Sequence, residues 1–310
     1  MILVTGATGT VGRELVGRLL ALGVPVRATT RRPDTAGLPD GIEVVRADLG
    51  DPDGLADAMR GVDRVFLLSG GPEIPTHDAN LARAADRAGV GHLVKLSSGR
   101  TGDDTATDPI PTWHRAGEQA VRDSGVAWTM VRPLGFMANA LHWADSIRDQ
   151  GAVYAPFGQG RIAVVDPHDI AAVAAKALTT GGHEGEIYTL SGPEPLSPGE
   201  QTAILAGVLG RPLRYVEVEP AAARQAIIDH GVPDAMADAI MALRATALEA
   251  FTSVVHPTVE RITGTPPRPF REWAEHHSHH FARADAPPKR PRSGGIYGGI
   301  ARESPATSST

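Results

Sequence analysis

The chain contains no cysteine. Disulfides, thiolate nucleophiles and Cys-based zinc sites are therefore excluded, and nothing marks an oxidising compartment. Positive charge is also scarce. Lys and Arg number 30 against 36 Asp and Glu, for a net charge of -6, whereas general nucleic-acid binding needs a basic face to neutralise phosphates. No apolar run approaches the roughly 20 residues that span a bilayer. The opening residues MILVT pass straight into a strand pattern, with no basic region or cleavage site before them. The expectation is a cytoplasmic protein with neither membrane nor nucleic-acid partners.

What is present is an alternation. Short apolar runs at 2–5, 24–29, 42–46, 64–68, 92–96 and 127–131 read as strands. Stretches with helical spacing at 11–22, 53–59, 79–88 and 115–123 lie between most of them. Strands separated by helices of that length build βαβ units and a parallel sheet. The runs show little polar alternation, as expected for strands covered on both faces. After residue 131, Gly and Pro become frequent and three more helical stretches follow at 169–178, 198–209 and 233–251. The expected fold is therefore α/β, a Rossmann-type doubly wound parallel sheet with a smaller, interleaved C-terminal lobe. Its expected divisions are a dinucleotide-binding core at 1–150, a substrate lobe at 151–282 and a disordered tail at 283–310. That tail is rich in Pro, Gly, Ser and Arg and poor in large apolar side chains, so it buries too little to offset its ordering entropy.

The strongest local signal is Gly6-Ala7-Thr8-Gly9-Thr10-Val11-Gly12, which follows a strand and opens a helix. Gly6 allows a tight turn, Gly9 lets backbone approach a pyrophosphate, and Gly12 lets helix pack on strand. The helix N-terminus presents free N–H groups and a positive dipole end to phosphates. The expected cofactor is a nicotinamide dinucleotide. NAD-specific sites place an acid after the second strand. Here Arg31 and Arg32 stand there instead, and an arginine fork suits a 2′-phosphate, so NADP(H) is favoured, with NAD(H) possible. Asp48 and Leu49 end the third strand, with Asp51 just beyond. An acid at this edge can accept from the adenine amino group or cap the next helix. Ser69 and Gly70 leave room for the central ribose, or simply form a turn.

Together residues 6–12 (GATGTVG), Thr30-Arg31-Arg32, Lys95-Leu96-Ser97-Ser98, and the series Ser124-Gly125, Thr129, Arg132-Pro133 and Phe136-Met137-Ala138-Asn139 resemble the NmrA-like group of atypical short-chain dehydrogenase/reductases. Residues 165–171 (VDPHDIA), 188–193 (YTLSGP) and Leu196-Ser197 extend the likeness, which covers residues 1 to about 281. The resemblance implies a single interleaved unit, with the cofactor along the carboxyl edge of the sheet and a substrate cleft under the smaller lobe. It also implies NAD(P)H-dependent reductases of quinones and azo compounds, or dinucleotide-sensing regulators that catalyse little.

Ordinary members of the wider superfamily use a Tyr-x-x-x-Lys pair on one helix face, where the lysine lowers the tyrosine pKa. Between residues 98 and 150 there is neither a tyrosine nor a lysine. Counting back from Glu118 places His114 at the family's lysine position and Ile110 at its tyrosine position. His114 can bond the ribose or donate a proton, or it is a half-exposed histidine in the first turn of a helix. Ser97 is a second catalytic candidate and also a cofactor contact. Ser97 and Ser98 can orient a substrate oxygen, or they cap the loop. Pro133, Phe136 and Met137 are expected as an apolar wall beside the nicotinamide, with Asn139, Trp143 and Phe157 lining the cleft, which suits a flat apolar substrate. Packing between lobes explains Trp143 and Phe157 equally well.

The expected activity is hydride transfer from NAD(P)H to a quinone, azo or imine acceptor, which can take its proton from solvent. A sensing role and an NAD(P)-dependent epimerase or isomerase are the alternatives, and a homodimer is possible. The cluster His276-His277-Ser278-His279-His280 invites a metal reading, since His276 and His280 share a helix face. No nearby acid is positioned like the Glu of a metalloprotease pair, and cationic side chains suit a helix C-terminus, so no metal site is expected.

Overall fold

The computed structural model describes residues 1–282, so the expectation for the 283–310 tail lies outside the described residues. Among the described residues nine strands are present: β1 Ile2–Val4, β2 Val26–Thr30, β3 Glu43–Arg46, β4 Arg64–Leu67, β5 His92–Leu96, β6 Ala127–Pro133, β7 Ala152–Ala155, β8 Ile187–Leu190 and β9 Arg214–Glu217. The helices are α1 Thr10–Ala21, α2 Pro52–Ala58, α3 Ile74–Arg87, α4 Pro109–Asp123, α5 Ala144–Gln150, α6 Pro167–Thr179, α7 Pro198–Leu209, α8 Pro220–Asp229, α9 Asp234–Ala245, α10 Thr258–Thr263 and α11 Phe270–His276.

Seven strands form one sheet in the order β3-β2-β1-β4-β5-β6-β8, with every pair parallel. The chain reverses direction of growth between β1 and β4, and such a switch point opens a crevice at the carboxyl edge. One face buries Val11, Leu15 and Leu19 of α1 together with Ile170, Val173 and Leu178 of α6. The other buries Leu55 of α2, Leu81 and Ala85 of α3, and Val121 of α4. The doubly wound fold expected from the alternation of strands and helices is what forms.

A third core belongs to the smaller lobe. Met137, Ile147, Val153, Leu205, Phe270, Trp273 and Phe281 pack together there, and β7 and β9 make a two-stranded parallel sheet. Trp273 stacks on Phe270 at 5.3 Å and on His277 at 4.7 Å. The lobe and the sheet interleave across residue 150. β8 and α6 join the large sheet from the C-terminal side, while Met137 and Ile147 enter the lobe core from the N-terminal side.

Several boundaries differ from expectation. Helices α3 and α4 start earlier than their apolar spacing suggested, because Pro75, Pro109 and Pro111 sit in their first turns. First-turn N–H groups have no intrahelical partner, so proline costs nothing there. The single helix expected over 233–251 breaks at Thr246, whose hydroxyl donates to the Leu243 carbonyl at 2.6 Å, and two 3-10 turns follow. No helix among the described residues is long and apolar enough to cross a membrane.

Candidate functional site: a dinucleotide cleft

A cleft of about 880 Å³ opens at the switch point. Gly6, Thr8, Arg31, Arg32, Asp48, Leu49, Ser69 and Gly70 line it, as do Thr5, Arg13 and His77. Eight residues singled out from sequence thus come together, drawn from the ends of four adjacent strands. A smaller hollow of about 350 Å³ near Met59, Asn80 and Arg83 contains none of the glycine-turn residues.

The glycine turn is dictated by space. Gly6 adopts φ +63°, and a Cβ there would lie 2.7 Å from Leu68. A Cβ on Gly12 would lie 2.1 Å from the Gly6 carbonyl oxygen. Helix α1 can start this close to β1 only because both positions lack a side chain. Gly9 is the N-cap, in extended conformation, with no side-chain cap bond. The N–H groups of Thr10, Val11 and Gly12 fall in the first turn, which has no intrahelical acceptors. An uncapped helix start at a sheet switch point is a fitting cradle for a pyrophosphate.

Two residues missed from sequence stiffen the turn. The Thr5 hydroxyl donates to the Leu68 carbonyl at 2.9 Å and accepts from the Leu68 N–H at 2.7 Å, stitching the ends of β1 and β4 together. Arg13 donates to the carbonyls of Thr8, Ala36 and Gly37 at 3.0, 2.9 and 2.7 Å, tying the turn to the loop after β2. Arg31 and Arg32 are exposed at the cleft, and neither guanidinium has an ion-pair partner among the described residues. The choice left open for the acids after β3 divides between them. Asp51 caps α2 by accepting from the Asp53 N–H at 3.1 Å. Asp48 faces the cleft, and its Oδ1 accepts from the Gly50 N–H at 2.9 Å.

Beneath the cleft lies a buried polar chain. Ser69 donates to Asp78 at 2.5 Å, and Asp78 pairs with Lys95, both side chains being wholly inaccessible. Gly117 of α4 makes room for that carboxylate, since a Cβ there would lie 2.1 Å from Asp78 Oδ2. A second hub is Glu118, also inaccessible. It accepts from Ser97 at 2.6 Å, from Arg132 at 2.8 and 2.6 Å, and from Arg122 at 2.9 Å. Burial alone would raise its pKa. The bonds from Arg132 and Ser97 and the charges of Arg132 and Arg122 turn the shift downward. The hydroxyl proton of Ser97 is thus committed to a structural carboxylate.

His114 lies in the second turn of α4 rather than the first, and its Nδ1 is buried with no protein partner. Burial pushes its pKa down to about 3, helped by the nearby Lys95 charge and opposed by Glu118. At neutral pH the ring is therefore uncharged, and the proton-donor role requiring an imidazolium is withdrawn. The neutral ring retains one unmatched polar nitrogen.

The residues expected to line the substrate cleft divide. Met137 is 1% exposed inside the lobe core, so it offers no surface to a ligand, and the apolar wall loses that member. Pro133 is buried at the end of β6. Phe136 is half-buried against the sheet-side core, and Trp143 against the lobe core. Ser98 is half-buried and Asn139 exposed. Phe157 holds φ +60°, a strained conformation for a bulky side chain that costs on the order of 1–2 kcal/mol. The histidine cluster begins at His276, the last residue of α11, and runs into the 3-10 turn Ser278–Phe281. His276 and His277 direct Nδ1 to the carbonyls of Glu272 and Trp273 at 2.9 and 2.8 Å. Among the described residues no group of three or more His, Asp or Glu is placed to hold a metal ion.

Residues 6–181, more than half of the chain, match the family model described as NAD(P)H-binding. A (4-alkanoyl-5-oxo-2,5-dihydrofuran-3-yl)methyl phosphate reductase from Streptomyces griseus is 50% identical over 91% of this chain and 99% of its own. An NAD(P)H azoreductase from Xenophilus azovorans is 40% identical over 92% and 100%. An Escherichia coli NADPH-dependent quinone oxidoreductase, solved with NADPH, superposes with TM-score 0.79 at 28% identity over 90% and 100%. A Citrobacter triphenylmethane reductase solved with NADP(H) does so with TM-score 0.78 at 25% identity over the same shares. The uncapped glycine turn, the all-parallel sheet and this likeness along nearly the whole described chain converge: the protein belongs to the NAD(P)H-binding family, within the NmrA-like, atypical short-chain dehydrogenase/reductases.

Proposed function

We propose that the protein is an NAD(P)H-dependent reductase, preferring NADPH, that acts on a small conjugated or aromatic acceptor. The observation that carries this reading is a pairing of opposites. The pyrophosphate cradle is complete, yet α4 offers neither tyrosine nor lysine, and its His114 is held neutral. A site without a strong acid suits an acceptor that needs none. Quinones, azo bonds and alkenes conjugated with carbonyls accept hydride readily and take a proton from water.

Residues Gly6, Thr8, Gly9, Thr10, Val11 and Gly12 hold the pyrophosphate. Arg31 and Arg32 take the 2′-phosphate, Asp48 and Leu49 flank the adenine, and Ser69 and Gly70 border the ribose. When bound, NADPH supplies the hydride. The chain itself contributes proximity, orientation and shelter from water. His114 can accept or donate one hydrogen bond as a neutral ring, which orients a ribose or substrate oxygen without transferring charge.

The relatives fit this class. The Streptomyces protein reduces a dihydrofuranone whose ring alkene is conjugated with carbonyls, the Xenophilus protein an azo compound, and the Escherichia coli protein a quinone. The test is oxidation of NADPH, followed by its absorbance, with menadione, an azo dye and a 2-acyl-3-(hydroxymethyl)butenolide. Catalytic turnover of at least one class is expected. Tight NADPH binding with no turnover of any would overturn the reductase reading.

A further inference from the structure

Stability does not account for the pair formed by Asp78 and Lys95. Both side chains are wholly inaccessible, and a buried ion pair is commonly no more stable than apolar residues of the same volume. Housing it also constrains the neighbouring helix. Gly117 lies inside α4, where a glycine weakens a helix, and a Cβ there would lie 2.1 Å from Asp78 Oδ2. Two charges and a helical glycine thus meet at one point beneath the cleft.

Three elements make the arrangement. Lys95 stands opposite Leu67 in the register of β4 and β5, on the face covered by α3 and α4. Asp78, in the second turn of α3, turns one oxygen to Lys95, and its Oδ1 accepts from the Ser69 hydroxyl at 2.5 Å. Ser69 follows the end of β4 and lines the cleft. Its backbone is anchored, because the Thr5 hydroxyl binds both the N–H and the carbonyl of Leu68, at 2.7 and 2.9 Å. A Cβ on Gly6 would meet the Leu68 side chain at 2.7 Å, so Ser69 stands one residue from the wall of the glycine turn.

The direction of the Ser69 bond follows from counting donors. A carboxylate held by an ammonium accepts on both oxygens and donates on neither. The single hydroxyl proton of Ser69 therefore belongs to its bond with Asp78. What remains for the cleft is lone-pair density, which attracts an O–H or N–H and repels a phosphate or carbonyl oxygen. In a dinucleotide the groups next to the diphosphate are the two riboses, and their hydroxyls are donors.

We infer that Ser69 reads a ribose hydroxyl of the bound coenzyme as a dedicated acceptor, and that Asp78 and Lys95 are positioning residues that fix the direction of this bond. The inference rests on the cofactor reading above and extends it from a neighbouring side chain to a defined hydrogen bond. The pair keeps the Ser69 proton out of the cleft, so the acceptor is oriented before the coenzyme arrives and no hydroxyl rotor has to be ordered on binding. The ribose is that of the adenosine half or that of the nicotinamide half.

The test measures the Kd for NADPH by fluorescence titration in the wild type, in Ser69→Ala, in Lys95→Met with Asp78→Leu, and in the combination of all three. Ser69→Ala alone is expected to weaken NADPH about three- to tenfold. In the background without the pair, the same substitution should cost at least about twofold less, because the serine is then free to turn. Unchanged affinity in Ser69→Ala would overturn the acceptor role, and an equal loss in both backgrounds would overturn the role of the pair. Thermal melting checks each variant, and Ser69→Ala decides the acceptor role whether or not the pair-free variants fold. Displacement of NADPH by adenosine 2′,5′-bisphosphate, in the wild type and Ser69→Ala, separates the two riboses. A loss equal to that for NADPH supports a bond to the adenosine ribose, and a loss confined to NADPH supports one to the nicotinamide ribose. A wild type that binds no NADPH would fail the cofactor reading itself, and this inference with it, which tells the two failures apart.

Discussion

Replacing Gly9 by Asp separates the cofactor role of the glycine turn from its structural role. Gly9 is the N-cap of α1, at φ -83° and ψ 176°. Asp is among the preferred N-cap residues and gains a few tenths of a kcal/mol over Gly there. A Cβ at this position would lie 3.3 Å from the Gly6 carbonyl oxygen, a tight contact that needs only a small shift. The fold should therefore tolerate the change, with a melting temperature within a few degrees of the wild type. Cofactor binding should not survive. The new carboxylate would occupy the N–H groups meant for the pyrophosphate and would stand about 4 Å from its charge. At an effective dielectric near 20, that repulsion is worth about 4 kcal/mol, and less where water enters. A loss of about a hundredfold or more in NADPH affinity is expected. The assay is NADPH fluorescence titration paired with thermal melting. Unchanged affinity would place the pyrophosphate elsewhere, and a collapsed melting temperature would refute the capping argument.

Other perturbations reach different parts of the account. Arg31→Ala with Arg32→Ala should lower kcat/KM for NADPH about tenfold or more relative to NADH, and equal losses for both would remove the basis for selectivity. Lys95→Met strands the buried Asp78 carboxylate and should cost roughly 3–5 kcal/mol in denaturant unfolding. Adding Asp78→Leu should recover much of that, and a double variant as weak as the single would contradict the buried-pair reasoning. His114 has its folded pKa, about 3, below its unfolded value near 6.5. Stability is therefore full above the unfolded value and falls with pH as the unfolded chain takes up the proton. Between pH 7 and pH 5 the loss is about 2 kcal/mol from this residue alone. His114→Gln should flatten that part of the pH–stability curve, and parallel curves for the two proteins would show that the ring is not held neutral.

The parts legible in the sequence were those with short-range signatures. Six strand runs lie within two residues of β1 to β6, because a strand buried on both faces is continuously apolar. The glycine turn carried its own steric logic. What stayed hidden depends on contacts distant in sequence. Nothing local to Lys95 or Asp78 shows that they meet in the core, since charged residues are ordinarily exposed and only a distant partner makes burial tolerable. Gly117 carries no local signal of its role, which is to make room for the Asp78 carboxylate packed against it. Ser97 looked catalytic by position, yet its hydroxyl donates to Glu118, 21 residues on. Met137 belonged to an apolar loop in the sequence and to the lobe core in the fold, a difference that apolar character alone does not reveal. Strands β7 and β9 were missed because each is four residues long and pairs with a partner some sixty residues away.

The central claim is that the uncapped start of α1, at the junction of β1 and β4, holds the diphosphate of a nicotinamide dinucleotide. Calorimetric titration of the purified protein with NADPH and NADH tests it most directly. A saturable 1:1 heat is predicted for NADPH, with weaker binding of NADH. No heat from either coenzyme, reduced or oxidised, would contradict the claim.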